Sequence, residues 1–429
     1  MTSACLLLLL VSAYPVANAD SAAAAPSSAP DIRIPATRLQ AAQLGVVVNT
    51  NDPQSIAIGD YYILKRHIPR DNLIRVALPV RPSIGRDEFR ALQLALKKNT
   101  PTSVQAYALA WTKPYRVDCM SVTSAIAFGY DKQLCSAKRC GATKRNPLFN
   151  SNSHRPYTDH GIRPAMMLAA DSVVMAKQLI DRGIRADQSF PDGTAYLVKT
   201  SDQARSIRAI GFPQAARLLG DYINIELVEG DAIHDKDDVL FYFTGKTFVD
   251  DLKTNTYLPG AIADHLTSAG GRLDGSKQMS SLEWLRAGAT GSYGTVVEPC
   301  NLLAKFPDPI QVMGQYYSGN TLIEAYWKSV QMPGEGVFIG EPLASPFGGY
   351  RINQRDGNTI LESQAIRPGL YTLYGAVSGV GPYQIIKDNI QMRFGPQQIS
   401  LGKLSLAHYR LIRNISVAPR YQSILLPGE

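Results

Sequence analysis

The sequence predicts a mixed α/β protein, in which a mostly parallel sheet flanked by helices is followed by a small all-β module. The first observation is an alternation of short apolar runs and helical periods through residues 37–350. The second is a change in the residue pattern near Arg355, after which the apolar runs are short and are separated by Gly and Pro. The third is a composition of 45% hydrophobic and 19% charged residues, which excludes a disordered chain, a coiled coil and a collagen-like fibre.

The length of the chain indicates the number of domains, and its net charge bears on the class of partner. At ~150 residues per domain, a chain of 429 residues suggests two or three domains. We predict an α/β domain over residues 37–350 and a sandwich-like β module over residues 356–415. Lys and Arg exceed Asp and Glu by 44 − 36 = 8, a net charge too small over this length to indicate a nucleic-acid partner.

The N-terminus indicates export. Residues 6–11 form an apolar run too short to span a bilayer, and residues 17–19 (Ala-Asn-Ala) supply the small-x-small pattern at which signal peptidases cut. We therefore predict a signal peptide over residues 1–19 and a periplasmic or extracellular location. Residues 20–36 are rich in Ala, Pro and Ser, which predicts a flexible linker. Because no later run approaches ~18 apolar residues, we predict no membrane span in the mature protein.

Each predicted strand of the α/β region is a short apolar run that precedes or follows a helical period. Residues 44–48 predict a buried strand, and residues 56–66 predict a helix that stops before Pro69. The same reasoning predicts further strands over residues 72–78, 104–111, 166–170, 194–199, 222–228, 239–243, 258–266 and 336–340. It predicts further helices over residues 87–98, 173–182, 203–219 with a break near Pro213, 281–286 and 321–330. In the β module, short runs predict strands over residues 371–377, 390–394 and 399–406.

Residues 112–164 interrupt this alternation. They contain many turn formers, a basic cluster, and three of the four cysteines that remain once Cys5 is cleaved off. We interpret the segment as a disulfide-held insertion at one edge of the sheet, and its basic side chains as a solvated face.

The cysteine count favours disulfides over a metal site. An even number of cysteines in an exported protein is typical of disulfide pairing; they are Cys119, Cys135, Cys140 and Cys300. Cys135 and Cys140 are close enough to bridge a small loop, which would leave Cys119 to pair with Cys300. All three pairings remain open, because spacing alone does not choose among them. No CxxC motif is present, so zinc is disfavoured.

The densest group of chemistry-bearing residues lies at the end of the strand predicted over 258–266. It comprises Asp264, His265, Thr267 and Ser268, and ligands of open α/β sheets bind outside such strand ends. The histidine could act as a base, a hydroxyl as a nucleophile and the carboxylate as the orienting group. Neighbours on a strand point to opposite faces, so Asp264 and His265 do not simply pair, and core or capping roles are the alternative.

Two further segments have features of a phosphate-binding loop and of a calcium-binding loop, but neither pattern is complete, so we predict no bound metal or cofactor. Residues 270–277 resemble a phosphate-binding loop, but Ser276 stands where the lysine should follow the second glycine. Residues 229–238 are rich in carboxylates, yet their spacing matches no calcium loop and favours a solvated acidic loop.

Several stretches together resemble a family of exported bacterial proteins found in species with exosortase-type (PEP-CTERM) protein sorting. The resemblance covers most of residues 40–410 and implies export, without implying a particular activity. The stretches that carry it are residues 44–49, 59–62, 65–69, 114–119, 257–271, 288–301 (GATGSYGTVVEPCN), 305–309 (KFPDP) and 334–346.

A more distant resemblance concerns the fold. A strand ending at Gly245, a second strand over residues 258–266 and a following helix are similar to the core of gingipain-like and caspase-like cysteine peptidases. That resemblance implies a caspase-like sheet, with a catalytic His after the first strand and a catalytic Cys after the second. Here Lys246 follows Gly245, no Cys lies between residues 258 and 271, and Cys300 comes only after the next strand.

Two functions therefore remain open, and whether the protein is an enzyme is left undecided. The first is a caspase-like binding or assembly factor without peptidase activity, at the cell surface or in the periplasm, whose partners are exported or envelope proteins or surface polymers. The alternative is a hydrolase that uses His265 with Ser268 or Thr267, oriented by Asp264. A carbohydrate-binding surface built from some of the 21 tyrosines is a third, weaker hypothesis. The sequence does not indicate the oligomeric state.

Overall fold

The computed structural model describes residues 30–34, 38–135, 140–363, 365–366, 368–393 and 395–414. The predicted signal peptide and most of the predicted linker lie outside these residues. The predicted fold class is confirmed, because a ten-stranded, mostly parallel sheet is flanked by helices and the strands near the C-terminus form separate antiparallel sheets. Among the described residues, no helix combines the length and apolar character needed to cross a membrane.

The elements of the described chain are numbered in chain order. The strands are β1 Asp31–Arg33, β2 Leu44–Asn49, β3 Leu73–Val76, β4 Ser83–Ile84, β5 Ala106–Leu109, β6 Arg116–Val117, β7 Met120–Ser121, β8 Ala165–Met167, β9 Thr194–Lys199, β10 Asn224–Glu229, β11 Val239–Thr244, β12 Tyr257–His265, β13 Gly291–Thr295, β14 Gly336–Gly340, β15 Arg351–Arg355, β16 Asn358–Ser363, β17 Gly369–Ala376, β18 Gln384–Met392, β19 Gln397–Gly402 and β20 His408–Arg413. The α-helices are α1 Pro53–Arg66, α2 Arg86–Asn99, α3 Val122–Phe128, α4 Pro156–His160, α5 Val173–Ala186, α6 Phe212–Leu219, α7 Leu282–Ala287, α8 Pro309–Tyr317 and α9 Leu322–Trp327.

The central sheet consists of two parallel blocks that run in opposite directions. Its order is β10-β9-β11-β12-β13-β14-β8-β5-β2-β3. Strands β14, β8, β5, β2 and β3 are mutually parallel and form block A. Strands β10, β9, β11, β12 and β13 are likewise parallel and form block B. The blocks meet at the antiparallel pair β13–β14. The carboxyl ends of the block A strands therefore lie on the opposite side of the sheet, along the strand direction, from the carboxyl ends of the block B strands.

Helices cover both faces of this sheet because its strands are apolar on both sides, as is typical of parallel strands. In β2, Val46 and Val48 pack in the cluster that includes residues of α1, α5, α6, α8 and α9. Val47 points the other way, into the cluster that includes residues of α2, α3 and α7. The run of valines in the sequence therefore supplies two core layers from one strand.

Helix α1 begins directly after β2 and lies close against it. Asp52 caps the helix by accepting a hydrogen bond from the Gln54 amide, and Pro53 occupies the first helical position. At Gly59, a Cβ atom would lie 2.1 Å from a methyl carbon of Val48. Only glycine therefore allows the helix to approach β2 so closely, and this packing holds Asp52 at the carboxyl end of the strand.

The insertion at residues 112–164 differs from its prediction in position, and its disulfides adopt one of the three pairings that the sequence left open. It connects β5 to β8, which are neighbours inside the sheet, so it does not extend from a sheet edge. Its disulfides are Cys119–Cys135 and Cys140–Cys300, so Cys135 and Cys140 do not bridge each other. The second disulfide closes a sequence separation of 160 residues and ties the insertion to the connection that follows β13.

The C-terminal strands form two small sheets that share one core. Strands β15, β16 and β19 form one sheet, and β1, β20, β17 and β18 form the other. One apolar cluster draws on both sheets, with Leu361 from the first and Leu373 and Leu411 from the second. Strand β1 falls within the predicted linker, and its Ile32 is buried in this cluster. The boundaries of the two predicted domains stay a prediction.

Candidate functional site

Asp264 is buried at the end of β12 and is committed to an internal ion pair. Its Oδ1 accepts a hydrogen bond from Nη1 of Arg208 at 2.6 Å, and Nη2 of the same guanidinium donates to the carbonyl of Thr244 at 2.7 Å. Burial raises the pKa of Asp264, and the guanidinium of Arg208 opposes that rise. The side chain thus neutralises a buried cation on the sheet face that carries Phe241 and Phe243.

His265 points to the opposite face of the sheet, as alternation along a strand requires. Its Nδ1 accepts a hydrogen bond from the indole Nε1 of Trp284 at 2.9 Å, and its Nε2 lies 3.2 Å from the carbonyl of Met279. An indole only donates and a carbonyl only accepts, so the ring is a neutral tautomer protonated at Nε2. Burial lowers the pKa of His265 to about 3, and both ring nitrogens are occupied.

Thr267 and Ser268 are not hydrogen-bonded to the histidine. The hydroxyl of Thr267 donates to Oε1 of Gln278 at 2.9 Å and lies 3.3 Å from Nε of Arg205. Ser268 is half-buried, and its carbonyl accepts a hydrogen bond from the hydroxyl of Thr295. In the described chain, no hydrogen bond joins His265 to Asp264, Thr267 or Ser268. A catalytic role for these four residues stays a prediction.

The positions that would carry a cysteine-peptidase dyad are also occupied by structural contacts. Lys246 stands where that resemblance places a histidine. Its Nζ lies 3.1 Å from Oδ2 of Asp231 and 3.4 Å from Oδ2 of Asp250. Cys300 is oxidised in its disulfide with Cys140, so it offers no thiolate. Neither residue supplies the base or the nucleophile of that mechanism.

An open cleft with a volume of about 900 Å³ lies at the carboxyl ends of the block A strands. Asp52 follows β2, Lys113 follows β5 and Asp171 follows β8, so three neighbouring strands deliver charged side chains to it. Two connections of block B complete its walls; these are residues 248–254, between β11 and β12, and residues 273–286, between β12 and β13. This is where open α/β sheets bind ligands, and the volume is that of a ligand site.

Carboxylates outnumber cations in this cleft. Five carboxylates line it, namely Asp52, Asp171, Asp251, Asp274 and Glu283, against the three cations Lys113, Lys253 and Arg286. The balance is 3 − 5 = −2, whereas the whole chain has a net charge of +8. The cleft is therefore an acidic depression on a basic protein, and such a depression attracts cations.

Some of the cleft charges already have partners, and others face solvent. Nε of Arg286 donates to Oδ2 of Asp171 at 2.6 Å, and the same guanidinium bonds Glu283. Asp274 accepts a hydrogen bond from the Tyr115 hydroxyl at 2.5 Å, and partial burial is the main reason why the pKa of this tyrosine is raised. Asp251 is exposed, and no described side chain donates to its carboxylate.

Two of the predicted site residues, His265 and Thr267, hold one wall of the cleft in place. His265 bonds the carbonyl of Met279, and Thr267 bonds the side chain of Gln278, whose Oε1 also accepts from the amide of Ala269. Met279 and Gln278 both line the cleft. His265 and Thr267 therefore position a wall segment of the cleft, although neither of them lines the cleft itself.

From the sequence, we expected ligands to bind at the carboxyl end of β12, and the cleft at the carboxyl ends of the block A strands was missed. The available signal was a charged residue three or four positions after each of three block A strands, namely Asp52 after β2, Lys113 after β5 and Asp171 after β8. No group of three His, Cys, Asp or Glu side chains in the described part of the chain has the arrangement of a metal site.

Comparison with known proteins gives little further information. No family model matches the sequence, and no curated protein matches it. A solved structure of a protease aligns with a TM-score of 0.42 and 9% identity, covering 88% of this chain and 98% of that chain. A similarity of this size carries no argument about function.

Proposed function

We propose that this chain is an exported binding or assembly factor that holds a positively charged segment of another exported or envelope protein in the cleft of block A. The observation that carries the proposal is the excess of carboxylates in a cleft of ligand-site volume on an otherwise basic protein. Carboxylates bind Arg through paired hydrogen bonds and attract Lys as a point charge. A basic peptide segment supplies several such groups.

The environment of the cleft suits such a segment. Asp52 and Asp251 lie on different walls and are not neutralised by an ion pair among the described residues. Phe248 lines the cleft with 51% of its surface exposed, and it offers an apolar face to the aliphatic stem of a Lys or Arg side chain. Oxidised cysteine pairs are typical of exported proteins, which supports the cellular compartment that the proposal requires.

Binding is favoured over hydrolysis because the residues suited to catalysis are engaged elsewhere. A general base must reach the proton that it removes, and His265 is buried with both nitrogens bonded to protein groups. A pKa of about 3 also leaves this imidazole a weak base at neutral pH. The cleft, by contrast, contains the carboxylates of Asp52 and Asp251, which form no ion pair with a described residue.

The test measures binding of a fluorescein-labelled Gly-Arg-Gly-Arg-Gly-Arg peptide by fluorescence anisotropy. The double variant Asp52→Asn/Asp251→Asn removes two charges and keeps the fold, because Asn caps helices as well as Asp and tolerates the left-handed backbone of residue 251. We expect at least tenfold weaker binding, or about 1.4 kcal/mol. Asp388→Asn, on the exposed β18, is the matched control and leaves affinity unchanged.

Two outcomes would overturn this proposal. One is equal binding of the peptide by the wild type and the double variant, which would place the peptide outside the cleft. The other is cleavage of a diverse peptide library by the wild type that disappears in both His265→Ala and Ser268→Ala. That second result would establish the hydrolase and locate its chemistry at the end of β12.

A further inference from the structure

Strand β10 forms one edge of the ten-stranded sheet, and its outer side pairs with no other strand of the described chain. The amide of Gly230, directly after β10, donates to the carbonyl of Lys199 on β9. Backbone groups alternate in direction along a strand, so the amides of Ile225, Leu227 and Glu229 point away from β9. This row of unpaired donors and acceptors is a template for a further strand.

An apolar groove runs beside this open edge. It has a volume of about 520 Å³ and lies between β10 and the turn and helix that precede it in sequence. Three of its side chains are largely exposed: Ile207 at 40%, Ile210 at 81% and Leu227 at 48%. An exposed apolar patch beside an unpaired strand is the arrangement found where peptides add to a sheet edge, with side chains entering pockets at alternate positions.

The surroundings of the edge are acidic. Residues 221–238 contain seven Asp and Glu against one Lys, in a chain of net charge +8. Three of these carboxylates pair with lysines, namely Glu226 with Lys236, Glu229 with Lys199 and Asp231 with Lys246. Asp221 and Asp237 form no ion pair with a described residue, so the edge keeps an excess of negative charge. Glu226 points to the sheet face opposite Leu227, because side chains alternate along the strand.

We propose that β10 is a docking edge for an extended peptide segment in which apolar and basic residues alternate. The backbone of the segment pairs with the outward amides and carbonyls of β10. Its apolar side chains enter the groove beside Leu227, and its Lys or Arg side chains lie on the other face, which carries Glu226. None of the residues that line this groove lines the cleft of block A, so the two sites are separate.

The test titrates a fluorescein-labelled Val-Lys-Val-Lys-Val-Lys peptide into the full chain carrying Asp52→Asn/Asp251→Asn, so that the cleft does not contribute. The matched probe is the same peptide methylated on alternate backbone nitrogens, which retains charge and apolar surface but does not pair as a strand. We expect saturable binding of the first peptide and at least tenfold weaker binding of the second. Failure of the cleft proposal would leave this measurement unaffected.

Variants locate the site. Leu227→Pro removes an amide that points away from β9, so it blocks strand addition while sparing the β9–β10 ladder. We expect it to weaken binding at least tenfold, with an unchanged circular dichroism spectrum. Ile210→Ser is a second variant that leaves the backbone intact, and it should weaken binding several-fold. Val380→Ser, which alters a 95% exposed apolar residue elsewhere, is the control and leaves binding unchanged.

Three results would overturn the proposal. They are absence of saturable binding, equal binding of the methylated peptide, and equal binding by both Leu227→Pro and Ile210→Ser. Sedimentation velocity provides a further arm: a wild-type dimer that dissociates in Leu227→Pro would show that a second copy of this chain occupies the edge instead.

Discussion

The end of β12 and the cleft of block A contain similar residue types in opposite physical states. At the end of β12, Asp264 and His265 are buried and bonded to protein groups. In the cleft, Asp251 is exposed to solvent, and its carboxylate forms no ion pair with a described residue. The first arrangement stabilises the fold, because unpaired polar groups are costly inside a protein. The second is available to a ligand. Residue type therefore indicates possible chemistry, whereas burial and bonding decide whether that chemistry is available.

The largest expected difference between the two regions concerns their arginines. Arg208→Met leaves the charge of Asp264 buried without a partner, which should cost about 3–5 kcal/mol of unfolding free energy. Arg286→Met breaks the partly exposed pair with Asp171 in the cleft and should cost about 0–1 kcal/mol. Urea denaturation at pH 7 measures both values.

A second substitution separates the loss of the pair from the loss of packing. In Arg208→Met/Asp264→Leu no buried charge remains, so most of the lost stability should return. The Arg208→Met defect should also shrink as pH falls, because protonated Asp264 carries no charge. A loss of less than about 1 kcal/mol in Arg208→Met would contradict the contrast between the two regions.

The next effect is the pH dependence that the buried His265 imposes on stability. A histidine of the unfolded chain titrates near pH ~6.5, whereas burial lowers the folded pKa to about 3. Between these values the unfolded chain binds a proton that the folded chain does not. Stability therefore falls as pH drops from about 6.5 toward 3, by up to about 1.4 kcal/mol per pH unit.

His265→Gln should remove this dependence and keep the packing, because its amide can accept from Trp284 and donate to the carbonyl of Met279. Unfolding free energies measured from pH 7 to pH 4 should decline less steeply in the variant, by about one proton. Parallel curves for His265→Gln and the wild type would show that the imidazole is not held neutral.

The sequence predicted most of the central sheet because buried parallel strands appear as short apolar runs. Residues 44–48 and 194–199 were identified this way, and the structure has strands there. Helix α3 was missed because it is short and rich in Ser, Thr and Ala, without an amphipathic period. Helix α8 was missed although its start carries a capping Asp308 followed by Pro309. The reversal of block B relative to block A depends on the β13–β14 pair, whose partners lie far apart in sequence.

The burial and bonding of the residues at the end of β12 were less predictable, because they depend on partners that are distant in sequence. Asp264 is neutralised by an arginine 56 residues away, and the indole that bonds His265 lies 19 residues away. Alternation along β12 did predict that Asp264 and His265 face apart, since it is a local property of a strand. The disulfide pairing and the meeting of three strand ends at one cleft require the complete topology.

The smallest expected effect compares the two hydroxyls at the end of β12. Thr267→Val removes the hydrogen bond to Gln278 and should cost about 1 kcal/mol. Ser268→Ala should change stability by less than about 0.5 kcal/mol, because the half-buried Ser268 bonds Thr295 through its backbone carbonyl. If the end of β12 acts by holding the cleft wall, Thr267→Val should also weaken binding of the Gly-Arg peptide several-fold, whereas Ser268→Ala should not. Equal effects of the two variants on peptide affinity would show that the wall at Gln278 does not depend on this hydroxyl, and the two regions would then be uncoupled.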